Sequence, residues 1–352
     1  MNNLKTTNIL LLVIVIPLVF YLLNILSFIL IPLVFSMFIA LLFLPLMRWL
    51  QKKKIPKSIS IFIVILLIIA GLKIIGELIQ LSSREIIATN DAFFQKAQIK
   101  LSALVNSLEE FFGVDYVKDG NVIKQFLNKD NLMNNFGTTI SFISNTVTMT
   151  LMTAFFVVLW LAESINVQKL MNSTIIKQKH TSVKTFMKIE KDLIKFIKVK
   201  FLVSLGTGIF TGLACYFFDV SFPIFWGLFA FVINFVQMVG SFITIILLSI
   251  FAFVELDLNS ILLFFIITIT GVQVLFGSIL EPIFMGKSFS INIITVLVML
   301  MLWGFIWGVP GMIMSIPITV FIKIILEQYP QTKVIANIIS GSDKQIELPF
   351  KK

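Results

Sequence analysis

The chain has 352 residues, of which 58% are hydrophobic and 13% charged, and its mean hydropathy is +1.01. This composition excludes a soluble globular domain and predicts an all-α polytopic membrane protein. One cysteine and one histidine exclude an intrachain disulfide and a cluster with metal-ligand spacing. Because no catalytic constellation or phosphate-binding loop is visible either, we expect no enzyme activity, no metal and no cofactor. The net charge of +10 lies in lysines beside apolar runs, which predicts contact with membrane lipid and not with nucleic acid.

The N-terminal region, residues 1–81, has enough apolar sequence for three transmembrane helices. The uncharged run Thr6–Met47 would measure roughly 63 Å as a helix, which is enough for two crossings of a hydrocarbon layer ~30 Å thick. We expect a turn between Asn24 and Pro32. Residues 48–57 then carry five basic residues and no acidic one, which predicts that this loop and the N-terminus are cytoplasmic.

The middle of the chain is predicted to alternate between the two sides of the membrane. Residues 82–138 carry six basic and seven acidic residues, and this balance predicts an extracytoplasmic helical region. Its apolar seam has helical spacing at Phe94, Ala97, Leu101, Leu104, Leu108 and Phe111. Residues 139–200 are predicted to hold a fourth transmembrane helix and a basic amphipathic cytoplasmic helix in the headgroup layer. The second prediction depends on opposite lysine and apolar stripes, with lysines at 184, 188, 191, 195 and 198.

The C-terminal region, residues 201–328, is the predicted transport core, and residues 329–352 are a predicted cytoplasmic tail. Two uncharged runs, Ser221–Val254 and Ser288–Ile322, would each measure roughly 50 Å as straight helices, too long for one crossing. Glycine, proline and polar residues interrupt both runs. Each interruption predicts two short crossings, a re-entrant hairpin or an ordinary turn at the membrane surface.

Broken helices at membrane depth occur where they are buried in protein or line a wet cavity, and transporters bind substrates and ions there. Polar residues near the interruptions are therefore candidate substrate-binding residues: Asn234, Gln237, Ser241, Gln273, Ser278 and Glu281. Candidate hinges are Gly240, Pro282, Gly286, Gly308, Pro310 and Gly311. We expect both broken segments and the regular helix between them to move as one transport unit.

Several short motifs together resemble the AI-2E family, the autoinducer-2 exporter-like transporters. They are Gly277–Pro282, Met285–Lys287, Trp303-Gly304, Gly308–Met312, Ser315–Pro317, Leu326–Gln328, Trp226-Gly227 and Asn234-Phe235 ahead of Gly240-Ser241. The resemblance implies a bacterial inner-membrane protein with about eight spans and a homo-oligomer, a pentamer being one candidate. Family members are associated with export of autoinducer-2, and others with exchange of sodium or lithium for protons. This chain departs from the family pattern at Val236-Gln237 and Leu247-Leu248, where the family commonly has prolines.

Three functional hypotheses follow. The first is a transporter that exports a small polar solute such as autoinducer-2, since amides and carboxylates hydrogen-bond paired hydroxyls. The second is an antiporter that exchanges a monovalent cation for protons, with Glu281 as the carboxylate. The third is a membrane scaffold that transports nothing and binds partners.

Overall fold

The computed structural model describes residues 2–88, 99–100, 103, 149–163, 181–236, 239–256, 260–286, 291–328 and 332–340. Throughout these ranges the regular secondary structure is helical and no strand occurs, as the sequence predicts. The predicted extracytoplasmic seam, Gln237, Lys287 and residues 341–352 of the predicted tail lie outside the described residues. Predictions about them stay predictions.

The first helices are α1 (Asn2–Ile25), α2 (Ser27–Lys52) and α3 (Lys57–Ala88). Only Leu26 separates α1 from α2, and its φ of −82° and ψ of 9° stay in the right-handed region. The amides of Leu26 and Leu30 donate to carbonyls four residues back, so the helical ladder continues on both sides. The chain therefore bends at Leu26, within the range Asn24–Pro32 where the sequence predicted a turn.

The central helices are α4 (Met149–Glu163) and α5 (Thr181–Phe217). The sequence predicted an amphipathic helix in the headgroup layer that ends near residue 200, followed by a separate transmembrane helix. The structure joins both segments into one continuous helix, α5. The two stripes are present on the part of α5 whose side chains are described. Leu193 and Phe196 are buried, whereas three lysines are exposed, namely Lys191, Lys195 and Lys198.

The C-terminal helices are α6 (Pro223–Ile233), α7 (Val239–Glu255), α8 (Ser260–Met285), α9 (Ile293–Trp307), α10 (Val309–Gln328) and α11 (Lys333–Ser340). Four helices in the described residues are long and apolar enough to cross a membrane: Ser27–Lys52, Lys57–Ser82, Ser260–Met285 and Val309–Glu327. Shorter apolar helices accompany them, among them α4, α6, α7 and α9. The chain is thus an all-helical protein with several apolar helices of membrane-spanning character.

The chain divides into two compact units. The first comprises residues 1–66, 149–201 and 282–352, and the second comprises residues 67–148 and 202–281. The predicted transport core, 201–328, is therefore shared between them. In the first unit, Leu193 and Phe196 of α5 pack with Val296 of α9 and Val320 of α10.

The core of the second unit lies between α5, α6, α7 and α8. Cys215 and Phe265 are fully buried there, together with Leu248 and Ala252 of α7. Trp226 of α6 packs against Phe251, with ring centroids 5.1 Å apart. Because this contact joins the N-terminal part of α6 to the C-terminal part of α7, the two helices are antiparallel.

Both overlong apolar runs are interrupted helical hairpins, as the sequence predicts. The first hairpin (α6 and α7) breaks after Ile233, and the second hairpin (α9 and α10) breaks at Gly308, whose φ is +64°. In each hairpin a glycine of the second helix packs onto a carbonyl group of the first. Gly240 lies against the Ile233 carbonyl and Gly311 against the Trp303 carbonyl, so closely that a Cβ would overlap either oxygen.

This contact predicts that Gly311→Ala destabilises the protein by about 1–3 kcal/mol, because the added methyl group must push the two helices apart. Gly271→Ala is the matched control, since its Cβ would meet no atom within 4 Å on the exposed side of α8. Alanine there should be neutral or stabilising by up to about 1 kcal/mol. The measurement is thermal unfolding of both purified variants in the same detergent. Equal midpoints would contradict the close approach.

Candidate functional site

The helix α8 changes its winding near its C-terminal end, in the second unit. Residues Val274–Leu280 form a π-helical segment, and the Glu281 amide donates to the carbonyl of Phe276, five residues back. Pro282 follows directly. It has no amide hydrogen, and its ring would clash with the carbonyl of Ser278 in a regular α-helix, which favours the wider turn. Single π-helical turns within α-helices occur frequently at functional sites.

Gln273 is the residue directly before the π-helical segment, and its side chain is only 3% exposed. Both polar atoms of its amide, Oε1 and Nε2, lack a hydrogen-bond partner among the described residues. A buried polar group without a partner costs about 1–3 kcal/mol, and most native structures avoid it. Such a group in the interior requires an explanation, and a bound solute is one.

The break of the first hairpin brings two further predicted residues into this region. Asn234 is 4% exposed, and its Nδ2 donates to Ser204 Oγ of α5 at 3.0 Å. Ser241 Oγ lies 3.4 Å from the position that a Cβ would take on Gly277, within the π-helical segment. The structure therefore brings the hairpin break against α5 on one side and against the π-helical segment on the other.

The remaining predicted substrate-binding residues differ in their surroundings. Ser278 lies within the π-helical segment but is exposed, whereas Glu281 is only 3% exposed at its end. Ser278 thus lies on the outer surface of α8 in this unit. Among the described members of the predicted set, Asn234, Gln273 and Glu281 are the buried ones.

Sequence reasoning missed the polar face of α5, which consists of Ser204, Thr207 and Thr211. All three are fully buried, and they recur at spacings of three and four residues, which places them on one side of the helix. Thr207 Oγ1 donates to the Val203 carbonyl at 2.9 Å, but Thr211 Oγ1 has no partner within the described ranges. The helical spacing of these small polar residues was a usable signal.

The glycines of α5 explain how closely its neighbours approach. The ring of Phe276, from the π-helical segment, occupies the space beside Gly206, where a Cβ would overlap it. Gly208 and Gly212 contact α6 instead, at Gly227 and Pro223 respectively. These glycines form a small-residue contact surface on α5 that also positions the π-helical segment.

The break of the second hairpin, in the first unit, is joined to the bend between α1 and α2 by two hydrogen bonds. Asn24 Nδ2 donates to the Ile306 carbonyl at 2.8 Å, and Trp307 Nε1 donates to the Leu23 carbonyl at 2.9 Å. Each bond satisfies a backbone carbonyl near a helix end. These contacts hold one end of the hairpin without contributing an ionisable group.

The predicted hinge residues occupy distinctive backbone positions. Gly286 and Gly308 have φ values of +76° and +64°, which favour glycine. Pro310 lies in the first turn of α10, where its missing amide costs nothing. Pro282 lies at the boundary between the two units, since the second unit ends at Glu281 and the first unit resumes at Pro282. Their role as hinges stays a prediction.

Glu255 is the last residue of α7, at the end of the first hairpin. Its carboxylate accepts from the amide of Ser221 at 2.8 Å and from the hydroxyl of the same residue. These bonds hold the turn before α6, in which Asp219 and Phe222 have φ values of 54° and 63°. Glu255 therefore has a structural role in fixing a strained turn.

The bond between Asn234 and Ser204 can be measured with a double-mutant cycle. We expect the single variants Asn234→Ala and Ser204→Ala each to lower stability, and the double variant to lose less than their sum. The difference should be about 0.5–1.5 kcal/mol, since it is the contribution of one buried neutral hydrogen bond. Strict additivity in thermal or denaturant unfolding would contradict the contact.

Comparison with known proteins gives a consistent assignment. The family model described as AI-2E family transporter matches residues 9–331. A putative transport protein of Haemophilus influenzae is 25% identical over 309 residues, which cover 86% of this chain and 88% of that protein. The AI-2 transport protein TqsA of Escherichia coli is 24% identical over 327 residues, which cover 90% and 91%. A putative transport protein of Borreliella burgdorferi is 33% identical over 157 residues, which cover 44% and 43%.

The family match extends over nearly the whole described chain, including both hairpins and the π-helical segment. It confirms the resemblance that the short motifs indicated. The apolar helices of membrane-spanning length agree with it independently. The chain therefore belongs to the AI-2E family and is a membrane transporter.

Proposed function

We propose that this protein exports a small, neutral, hydroxyl-bearing solute such as autoinducer-2, and that the solute binds at Gln273. The observation that carries the proposal is the buried amide of Gln273, whose donor and acceptor atoms both lack partners within the described chain. TqsA, similar over nine-tenths of both chains, is named as an AI-2 transport protein. That name supports the substrate but does not establish it here.

The chemistry of an amide restricts the kind of solute. A glutamine side chain offers two N–H donors and one carbonyl acceptor. A monovalent cation would use only Oε1 and would leave Nε2 without a partner. A hydroxyl group both donates and accepts, so two neighbouring hydroxyls can satisfy both ends of the amide at once. The unpaired amide therefore favours a diol-like solute over sodium or lithium.

The surroundings of Gln273 include a further hydroxyl group. Ser241 approaches the π-helical segment at Gly277, four residues after Gln273. Because Gln273 is buried, solute entry requires this region to open during the transport cycle. We propose that it opens as the predicted transport unit moves, which is one form of alternating access.

The exchange of a cation for protons has no observation in its favour beyond the burial of Glu281. The homo-oligomer, the cytoplasmic termini and the inner-membrane location stay predictions. The scaffold hypothesis is weakened by the family match, because the family consists of transporters.

The decisive variant is Gln273→Leu, tested in proteoliposomes loaded with autoinducer-2. We expect efflux to fall at least about tenfold, the equivalent of roughly 1.4 kcal/mol for a lost polar contact. The thermal stability of the empty protein should stay equal or rise, because the variant removes an unpaired polar group. This combination of lower transport and retained stability distinguishes a binding residue from a packing residue.

The matched control is Thr268→Val on the same helix, since Thr268 is only partly buried and its hydroxyl donates to the Phe264 carbonyl at 2.7 Å. It should transport normally. Wild-type efflux by Gln273→Leu would contradict the proposal. A proton gradient that sodium or lithium dissipates, and that Glu281→Gln abolishes, would indicate the exchange function instead.

A further inference from the structure

We propose that the C-terminal end of α2 in the first unit holds a specific binding site for the phosphate group of an anionic membrane lipid. We call this site the α2 corner and define it by Arg48, Gln51, Lys52 and Lys54. It is independent of the proposed solute site, which lies in the second unit. Its function is to bind and be stabilised by acidic headgroups.

Two unpaired donors are the first observation. Arg48 Nε and Gln51 Nε2 are buried nitrogen atoms without a hydrogen-bond partner in the described residues. Both atoms donate and neither can accept, so the missing ligand must present acceptor oxygens. The two residues are three positions apart on α2 and therefore lie on the same face of the helix.

The described groups next to these two donors already accept other hydrogen bonds. Glu190 of α5 accepts a hydrogen bond from Arg48 Nη2, whereas Arg48 Nε has no partner among the described residues. The carbonyls of Trp49, Leu50 and Gln51 accept from the amides of the turn that follows α2. The helix end is thus capped by its own backbone, and the side-chain donors are directed to an external partner.

The charge of the α2 corner matches a phosphate. Residues 48–57 contain five basic residues and no acidic one, and Lys52, Lys53 and Lys54 are all exposed. Lys52 follows Arg48 by four residues and so shares its face. Glu190 offsets only one of these positive charges.

The backbone at Lys54 supports a functional role for its side chain. Its φ of +64° lies in the left-handed region, where glycine is the usual residue after a helix. A lysine at this position is less favourable than glycine for the turn. Strained positions of this kind tend to cluster at ligand-binding sites.

Position relative to the membrane favours a lipid over a free anion. Residues 53–56 connect α2 and α3, both of which contain a segment long and apolar enough to cross a membrane. Their junction must therefore lie at headgroup level. Trp49 is 52% exposed on the same turn, with Lys53 Nζ 4.4 Å from its ring centroid, and tryptophan is enriched at membrane interfaces.

The experiment measures the thermal unfolding of the full-length protein in neutral detergent while one additive is titrated. Phosphatidylglycerol should raise the unfolding midpoint in a saturable manner, whereas phosphatidylcholine and inorganic phosphate at equal concentration should not. An equal response to phosphatidylcholine would overturn the proposal. An equal response to inorganic phosphate would overturn the assignment to lipid, because it would indicate a site for a free anion.

Three variants test the residues. Gln51→Met keeps the size of the side chain without the donor, and Arg48→Lys keeps the charge next to Glu190 but removes Nε. Each should weaken the apparent affinity for phosphatidylglycerol about tenfold, as expected for a hydrogen bond to a charged group. Lys52→Gln changes only an exposed side chain and should weaken it about fivefold.

The matched control is Lys73→Gln, which removes the same charge from an exposed lysine of α3 that pairs with Glu77 at 3.8 Å. It should leave the titration unchanged. If Gln51→Met or Arg48→Lys folds poorly, the comparison of Lys52→Gln with Lys73→Gln decides the matter. Identical titrations for wild type and these variants would overturn the site.

Discussion

The dominant constraint on this protein is that an apolar chain must satisfy its backbone polar groups wherever a helix is interrupted. Hydrocarbon offers no partner for them, so every break needs a local solution. At the second break the Gly308 amide donates to the Gly304 carbonyl, and the Asn24 side chain donates to the Ile306 carbonyl. At the first break the amides of Val236 and Gly240 donate to the carbonyls of Ile233 and Val236.

The same constraint explains which features the sequence could predict. Glycine, proline and asparagine inside an apolar run weaken the helix directly, so the two interruptions were visible without a structure. The stripes of α5 were visible because lysine and phenylalanine partition to opposite sides at helical spacing. The turn at Leu26 was visible only as the range Asn24–Pro32, because no breaker residue marks its position. The contact between Asn24 and Ile306 joins residues 282 positions apart, which no local pattern encodes.

The candidate site shows a further limit of sequence reasoning. Asn234 and Gln273 were equivalent at the sequence level, as polar amides near a break. The structure separates them, because Asn234 has a partner in Ser204 whereas Gln273 has none among the described residues. Residue type states how many hydrogen bonds a group can make, but only the packing of neighbouring helices determines how many are made. The π-helical segment was likewise missed, since Pro282 alone predicts a kink as well as a wide turn.

Unpaired atoms also differ in what they can bind, and this difference separates the two proposed sites of the molecule. At Gln273 a donor and an acceptor are both unsatisfied, which suits a neutral solute that can do both. At Arg48 and Gln51 only donors are unsatisfied, and exposed lysines surround them, which suits an anion. A protein optimised for stability alone would pair or remove such groups, since each costs free energy in the folded state. These unpaired groups are therefore informative about function. Whether they donate or accept indicates the chemistry of the missing partner, and their place in the fold indicates where it binds.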